Sequence, residues 1–168
     1  MPTQTEVTPR PGNMGAVIDE TERAAAEIEK ILNRISDAQY ERIVDTETKE
    51  EECRSIQTMM MHVVGAGYSY ANRVRPLFGM PTREPEEKLF SRSEAIPRLH
   101  EMLAYTVETF EGRWILDWEE MKQKLIETPS GQRLTIEFLM EHGIVHLLRH
   151  RRQIEKFLRI MDNSAPGA

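Results

Sequence analysis

Apolar residues recur along this chain at steps of three and four, and those steps predict helices. Ile18, Ala25, Ile28, Ile31, Leu32 and Ile35 mark an amphipathic helix over about residues 15–35. A short turn or helix, SDAQYERIV, follows it. From about Thr48 the stretch TKEEECRSIQTMMMHVVGAGYSYANRV reads as a second long helix, its acidic start suiting the positive end of the helix dipole. Pro76, Gly79, Pro81 and Pro85 mark a loop to about residue 91. Ser93 is placed to cap a third helix carrying Ile96, Leu99, Leu103, Val107 and Phe110. Residues 112–130 are less regular, with Trp114 and Trp118 in a short helix and Pro129–Gly131 as a breaker. Thr135 is placed to cap a last helix running to about Met161. Strand signals are weak. The expected class is all-α, a bundle of four long helices in a single domain over 15–161. Residues 1–14, rich in Pro and Thr, read as a flexible lead and 162–168 as a flexible tail.

Composition narrows the partners. The 168 residues fit one domain, and the net charge of −6 argues against a nucleic-acid partner, which would want a basic surface. No apolar run approaches the roughly 18–20 residues of a membrane span, so no membrane partner is expected. The start lacks a basic region followed by an apolar run, and the single cysteine, Cys53, allows no internal disulfide. A cytoplasmic location is the expectation that fits these features.

The candidate chemistry sits in EHGIVHLLRHRRQI, residues 141–154, which holds three of the five histidines. Positions four apart share a helix face, about 6 Å along the axis, so two imidazoles can grip one ion. His142 and His150 are roughly 12 Å apart on a straight helix, too far to share one. The pairs left open are His142/His146 and His146/His150. A third ligand must come from another element. His62 lies among Met59, Val63 and Ala66 on an inward stripe, where a histidine wants a hydrogen bond or a metal. His100, beside Arg98 and Glu101, reads as a surface residue. Cys53 would lie about 180° around the expected second helix from His62 and is set aside. Imidazoles without thiolate or carboxylate suit zinc, nickel, iron or copper better than magnesium or calcium.

Several neighbours invite a bland reading beside a functional one. Gly65 and Gly67 make either close helix packing or space for a substrate. Met59, Met60 and Met61 point different ways, and core filling is their default. Glu137 or Glu141 would serve as a general base if it faced an open position on the metal, but Glu141, rotated about 140° from His146, reads as a surface acid. Tyr68, Tyr70 and the basic run Arg149, Arg151 and Arg152 have ordinary structural readings too. No H-E-x-x-H is present.

SIQTMMMHVV followed by HLLRHRRQI resembles the DinB/YfiT-like metalloenzyme superfamily, over about residues 15–160. That family carries one histidine on its second helix and H-x-x-x-H on its last, often followed by Arg-Gly-Gln. The resemblance implies an up-down-down-up four-helix bundle with a divalent metal held by His62, His146 and His150. His142 then becomes an outer-shell or pocket-lining residue. Arg152 stands where the family often has glycine, which predicts altered packing behind the site. The resemblance further implies zinc or nickel, with iron as a third candidate, an unknown small-molecule substrate and a homodimer. Metal-assisted hydrolysis and transfer of low-molecular-weight thiols are both implied reactions. The rival expectation is a non-catalytic metal-binding or stress-related interaction protein on the same bundle.

Overall fold

The computed structural model describes residues 8–128 and 131–164. The expected lead, breaker and tail fall partly on residues 1–7, 129–130 and 165–168, outside the described residues. Among the described residues six α-helices form: α1 (Gly12–Leu32), α2 (Asp37–Glu41), α3 (Ile56–Val74), α4 (Arg92–Phe110), α5 (Trp118–Gln123) and α6 (Ile136–Asn163). Residues 126–127 and 133–134 pair as a minimal antiparallel hairpin, Ile126 opposite Leu134.

The four long helices make the main contacts. α1 packs on α4 and α6, and α3 packs on the same two. α1 and α3 therefore sit across the ring from each other, which is why the chain between them is long. One apolar core joins Ile28, Leu32, Ile56, Met59, Met60, Leu99, Ile154 and Phe157. A second, at the other end, gathers Met14, Ile18, Val74, Phe110, Leu116, Met121, Ile126, Ile136 and Met140. The segment before α5 closes that end. Trp114 lies in it, outside any helix, and its carbonyl accepts from the backbone N–H groups of Met14 and Gly15 at 3.0 and 3.2 Å. Two N–H groups that a helix start leaves open are thereby satisfied.

Three expected boundaries move. The second long helix begins at Ile56, not near Thr48. Its acids fall on a separate 3-10 turn, Glu51–Cys53, and Ser55 caps the helix through a capping box with Thr58. A hydroxyl that accepts the Thr58 N–H at 3.0 Å starts a helix more firmly than a run of carboxylates does. Ser91, not Ser93, caps α4, because only Ser91 has Glu94 three residues on to return the bond. α1 ends at Leu32, and Ile35 reaches the core from the turn that follows.

Candidate metal centre

The site lies where α3 faces α6. Ile56, Met59, Met60 and Val63 bury one side of α3, leaving His62 at the border, 32 % exposed, toward α6. On α6 the buried stripe runs Leu139, Met140, Gly143, Leu147, His150 and Ile154. His150 is 4 % exposed, and His146 stands half-buried beside it. The Tyr70 ring packs against α6 at Gly143, where a Cβ would meet Tyr70 Cδ2 at 3.4 Å, an ordinary contact distance. Tyr70 then sits edge-on to both His142 and His146, with ring centroids 5.9 Å away in each case.

Three imidazoles converge at this border. His62 Nε2 is 2.9 Å from His146 Nε2, and His150 Nε2 is 3.1 Å from the same atom. One ligand atom from each lies within 4.8 Å of the others. Two nitrogens each about 2.05 Å from one ion would be about 2.9 Å apart at a right angle and about 3.3 Å at a tetrahedral one. The observed separations fit that donor set. Burial, and then the neighbouring His150 and His62, pushes His146 down to about 3. Burial, and then His62, pushes His150 down to about 4, against a smaller upward pull from Gln153 and Glu52. Both rings are therefore neutral at neutral pH and keep a lone pair to offer. His150 Nδ1 is buried without a hydrogen-bond partner of good geometry, although the Gln153 side chain lies beside it. These residues are positioned to hold a metal ion.

A cleft of about 1330 Å³ opens onto His62 and His146. Gly65, Ala66 and Ser69 form its small-residue floor on α3, and Phe90, Pro97 and Arg98 stand on the facing wall. A Cβ on Gly65 would meet nothing within 4 Å, whereas one on Gly67 would fall 2.2 Å from Met102 Sδ. The two glycines thus divide the two readings between them: Gly65 leaves space in the cleft and Gly67 allows close helix packing. Met61 lines the cleft, while Met59 and Met60 are core. Arg83 also lines it. Its backbone N–H donates to Tyr105 Oη at 2.9 Å, its guanidinium donates to Tyr68 Oη at 2.5 Å, and no carboxylate pairs with it among the described residues.

Other sequence candidates lie apart from the cluster. His142 is exposed and outside it, with its ring edge-on to Tyr70. His100 is 55 % exposed and pairs with Glu29 at 2.8 Å. Glu141 is exposed. Arg151 is held by Glu27 of α1, and Arg152 points to solvent, so the altered packing expected from Arg152 does not arise. Cys53 is not on α3, so the helical-phase argument that set it aside does not apply. It sits on the 3-10 turn beside Gln153, outside the histidine cluster, and burial raises its thiol. Glu52, unremarked in the sequence, comes to 4.0 Å from His62 Nδ1. No helix among the described residues is long and apolar enough to cross a membrane.

No curated protein and no solved structure matches this chain. The sequence model of the DinB superfamily matches residues 20–154, a span that takes in α3, the three converging histidines and most of the bundle. The chain belongs to the DinB superfamily.

Proposed function

We propose that this protein is a metal-dependent enzyme acting on a small molecule, with His62, His146 and His150 as the ligands of one divalent transition metal. The carrying observation is the meeting of three imidazole nitrogens at the edge of a large cleft. Zinc or nickel, then iron, suits an all-imidazole donor set. Among the described residues the group has three donors and no fourth, which supports an open position rather than a closed structural site. There the ion would supply Lewis acidity and lower the pKa of a bound water or thiol.

The chain's own residues do the rest. The neutral rings of His146 and His150 present their Nε2 lone pairs. Tyr70 fixes His146 from the side, and the cleft admits the substrate over Gly65. The reading covers metal-assisted hydrolysis and transfer of a low-molecular-weight thiol to an electrophile. A non-catalytic metal-binding or stress-related protein would want a fourth ligand such as His142, whose exposed placement favours the enzyme. The ring of helix contacts, with α1 and α3 across from each other, supports an up-down-down-up order. The acidic balance and lone cysteine support a cytoplasmic protein. The exposed stripe of Phe138, Val145 and Leu148 on α6 supports a homodimer.

Elemental analysis of protein purified without an affinity tag tests the reading. About one equivalent of transition metal is expected, lost in both His62→Ala and His146→Ala. An absence of metal after zinc and nickel have been offered would sink it.

A further inference from the structure

The converging Nε2 atoms pose a proton problem. Without a metal, His146 Nε2 offers one lone pair, so only one of His62 and His150 can donate a full Nε2–H bond to it. Whichever ring donates is left with a bare lone pair on Nδ1. His150 Nδ1 is buried with no hydrogen-bond partner of good geometry. His62 Nδ1 faces the Glu52 carboxylate, with Oε1 at 4.0 Å, and a lone pair aimed at a carboxylate is repelled. The opposite tautomer removes the conflict. With the proton on Nδ1, His62 points an N–H at Glu52 and frees its Nε2 for an ion.

Glu52 is built for that position. The 3-10 turn Glu51–Cys53 closes through Cys53 N–H to Glu50 O at 2.9 Å. The Arg54 carbonyl pins the turn by accepting from Val44 and Asp45 N–H at 2.9 and 3.3 Å. No other hydrogen bond or ion pair holds the Glu52 carboxylate among the described residues, so a side-chain rotation is free to close 4.0 Å to bonding distance. Three imidazole ligands leave a divalent ion's charge uncompensated, and Glu52 is the acid nearest His62 Nδ1.

We propose that Glu52 is a positioning residue. It accepts the Nδ1–H of His62, fixes the tautomer that turns Nε2 toward the ion, and offsets part of the ion's charge from behind the ring. The proposal rests on the metal-ligand reading above, and its test separates the two. Partners of this kind typically strengthen metal binding 10–100-fold.

In metal-free, 15N-labelled protein at neutral pH, long-range proton–nitrogen correlation should show His62 as the Nδ1–H tautomer. Glu52→Ala should shift it toward Nε2–H. In competition with a chelator, Glu52→Ala should bind zinc about 10–100-fold more weakly than wild type. Glu52→Gln keeps an acceptor oxygen without the charge, so it should fall between and retain the tautomer. Glu51→Ala, at an 83 % exposed position on the same turn, should match wild type within twofold. Should Glu52→Ala misfold by circular dichroism, Glu52→Gln against Glu51→Ala decides through zinc affinity. An Nε2–H tautomer in wild type, or zinc affinity in the Glu52 variants equal to that of Glu51→Ala, would overturn the proposal. Wild type that binds no zinc yet keeps His62 as Nδ1–H through Glu52 would overturn the metal reading and leave the tautomer role standing.

Discussion

At the scale of single residues, the three histidines make acid sensitivity a property of the fold. His146 and His150 are held down to about 3 and about 4, chiefly by burial. An unfolded chain would protonate them near 6.5. Below that pH the unfolded state binds more protons than the folded one, so stability falls as pH falls and levels off only beneath the folded values. Above about 6.5 the two histidines add no pH dependence. For His150 alone the loss between pH 6.5 and 4 is about 3 kcal/mol. Urea unfolding of metal-free protein at pH 7.5, 5.5 and 4.5 should show this decline, and His150→Gln should flatten it. A wild-type curve that runs parallel to the variant's would contradict the burial account. The pairing of His146 with His150 was readable from sequence, because helical period alone puts positions four apart on one face. His62 was readable from its apolar neighbours, and the family resemblance chose among the pairs. Glu52 was not readable. On a continuous helix from Thr48 it would stand about 15 Å along the axis from His62. Only the break before Ser55 folds the turn back to bring it near.

At the scale of elements, the helices were legible where apolar spacing defined them and less so at their ends. Acidic residues before an apolar stripe imitate a helix start, and TKEEE did so. The reciprocal bonds of Ser55 with Thr58 and of Ser91 with Glu94 are finer signals, and they mark the starts of α3 and α4. The floor of the cleft gives a test internal to α3. Gly65 is helical and faces open space, so Gly65→Ala should gain helix propensity and raise stability by about 0.5–1 kcal/mol. Its methyl would also take space in the cleft beside His62. Gly67→Ala gains the same propensity but drives a Cβ into Met102, which is 2 % exposed and cannot move freely. Overpacking of that kind costs about 1–3 kcal/mol, so the net change should be a loss. Chemical denaturation of the two variants side by side is the measurement. Equal gains from both would mean that α3 and α4 are less tightly packed than the Gly67–Met102 approach requires.

At the scale of the whole molecule, the proposed ligands tie together two helices that the chain joins only through more than sixty residues, α3 and α6. His62 comes from one, His146 and His150 from the other. An ion held by all three binds only while that contact exists, so its binding energy adds to global stability. At a free metal concentration 100 times the dissociation constant, the gain is about 2.7 kcal/mol. For a domain of this size each kcal/mol moves the melting temperature by about 2–4 °C, so zinc should raise Tm by roughly 5–11 °C. A chelator should reverse the rise. The variants then separate a cross-helix site from a local one. An ion gripped by His146 and His150 alone would sit on a single helix and would keep most of its affinity in His62→Ala. A cross-helix ion loses its stabilisation in His62→Ala and in His146→Ala alike. Differential scanning calorimetry with and without zinc should therefore show the full shift in wild type and little in either variant. A shift that survives His62→Ala would place the ion on α6 alone and remove α3 from the site.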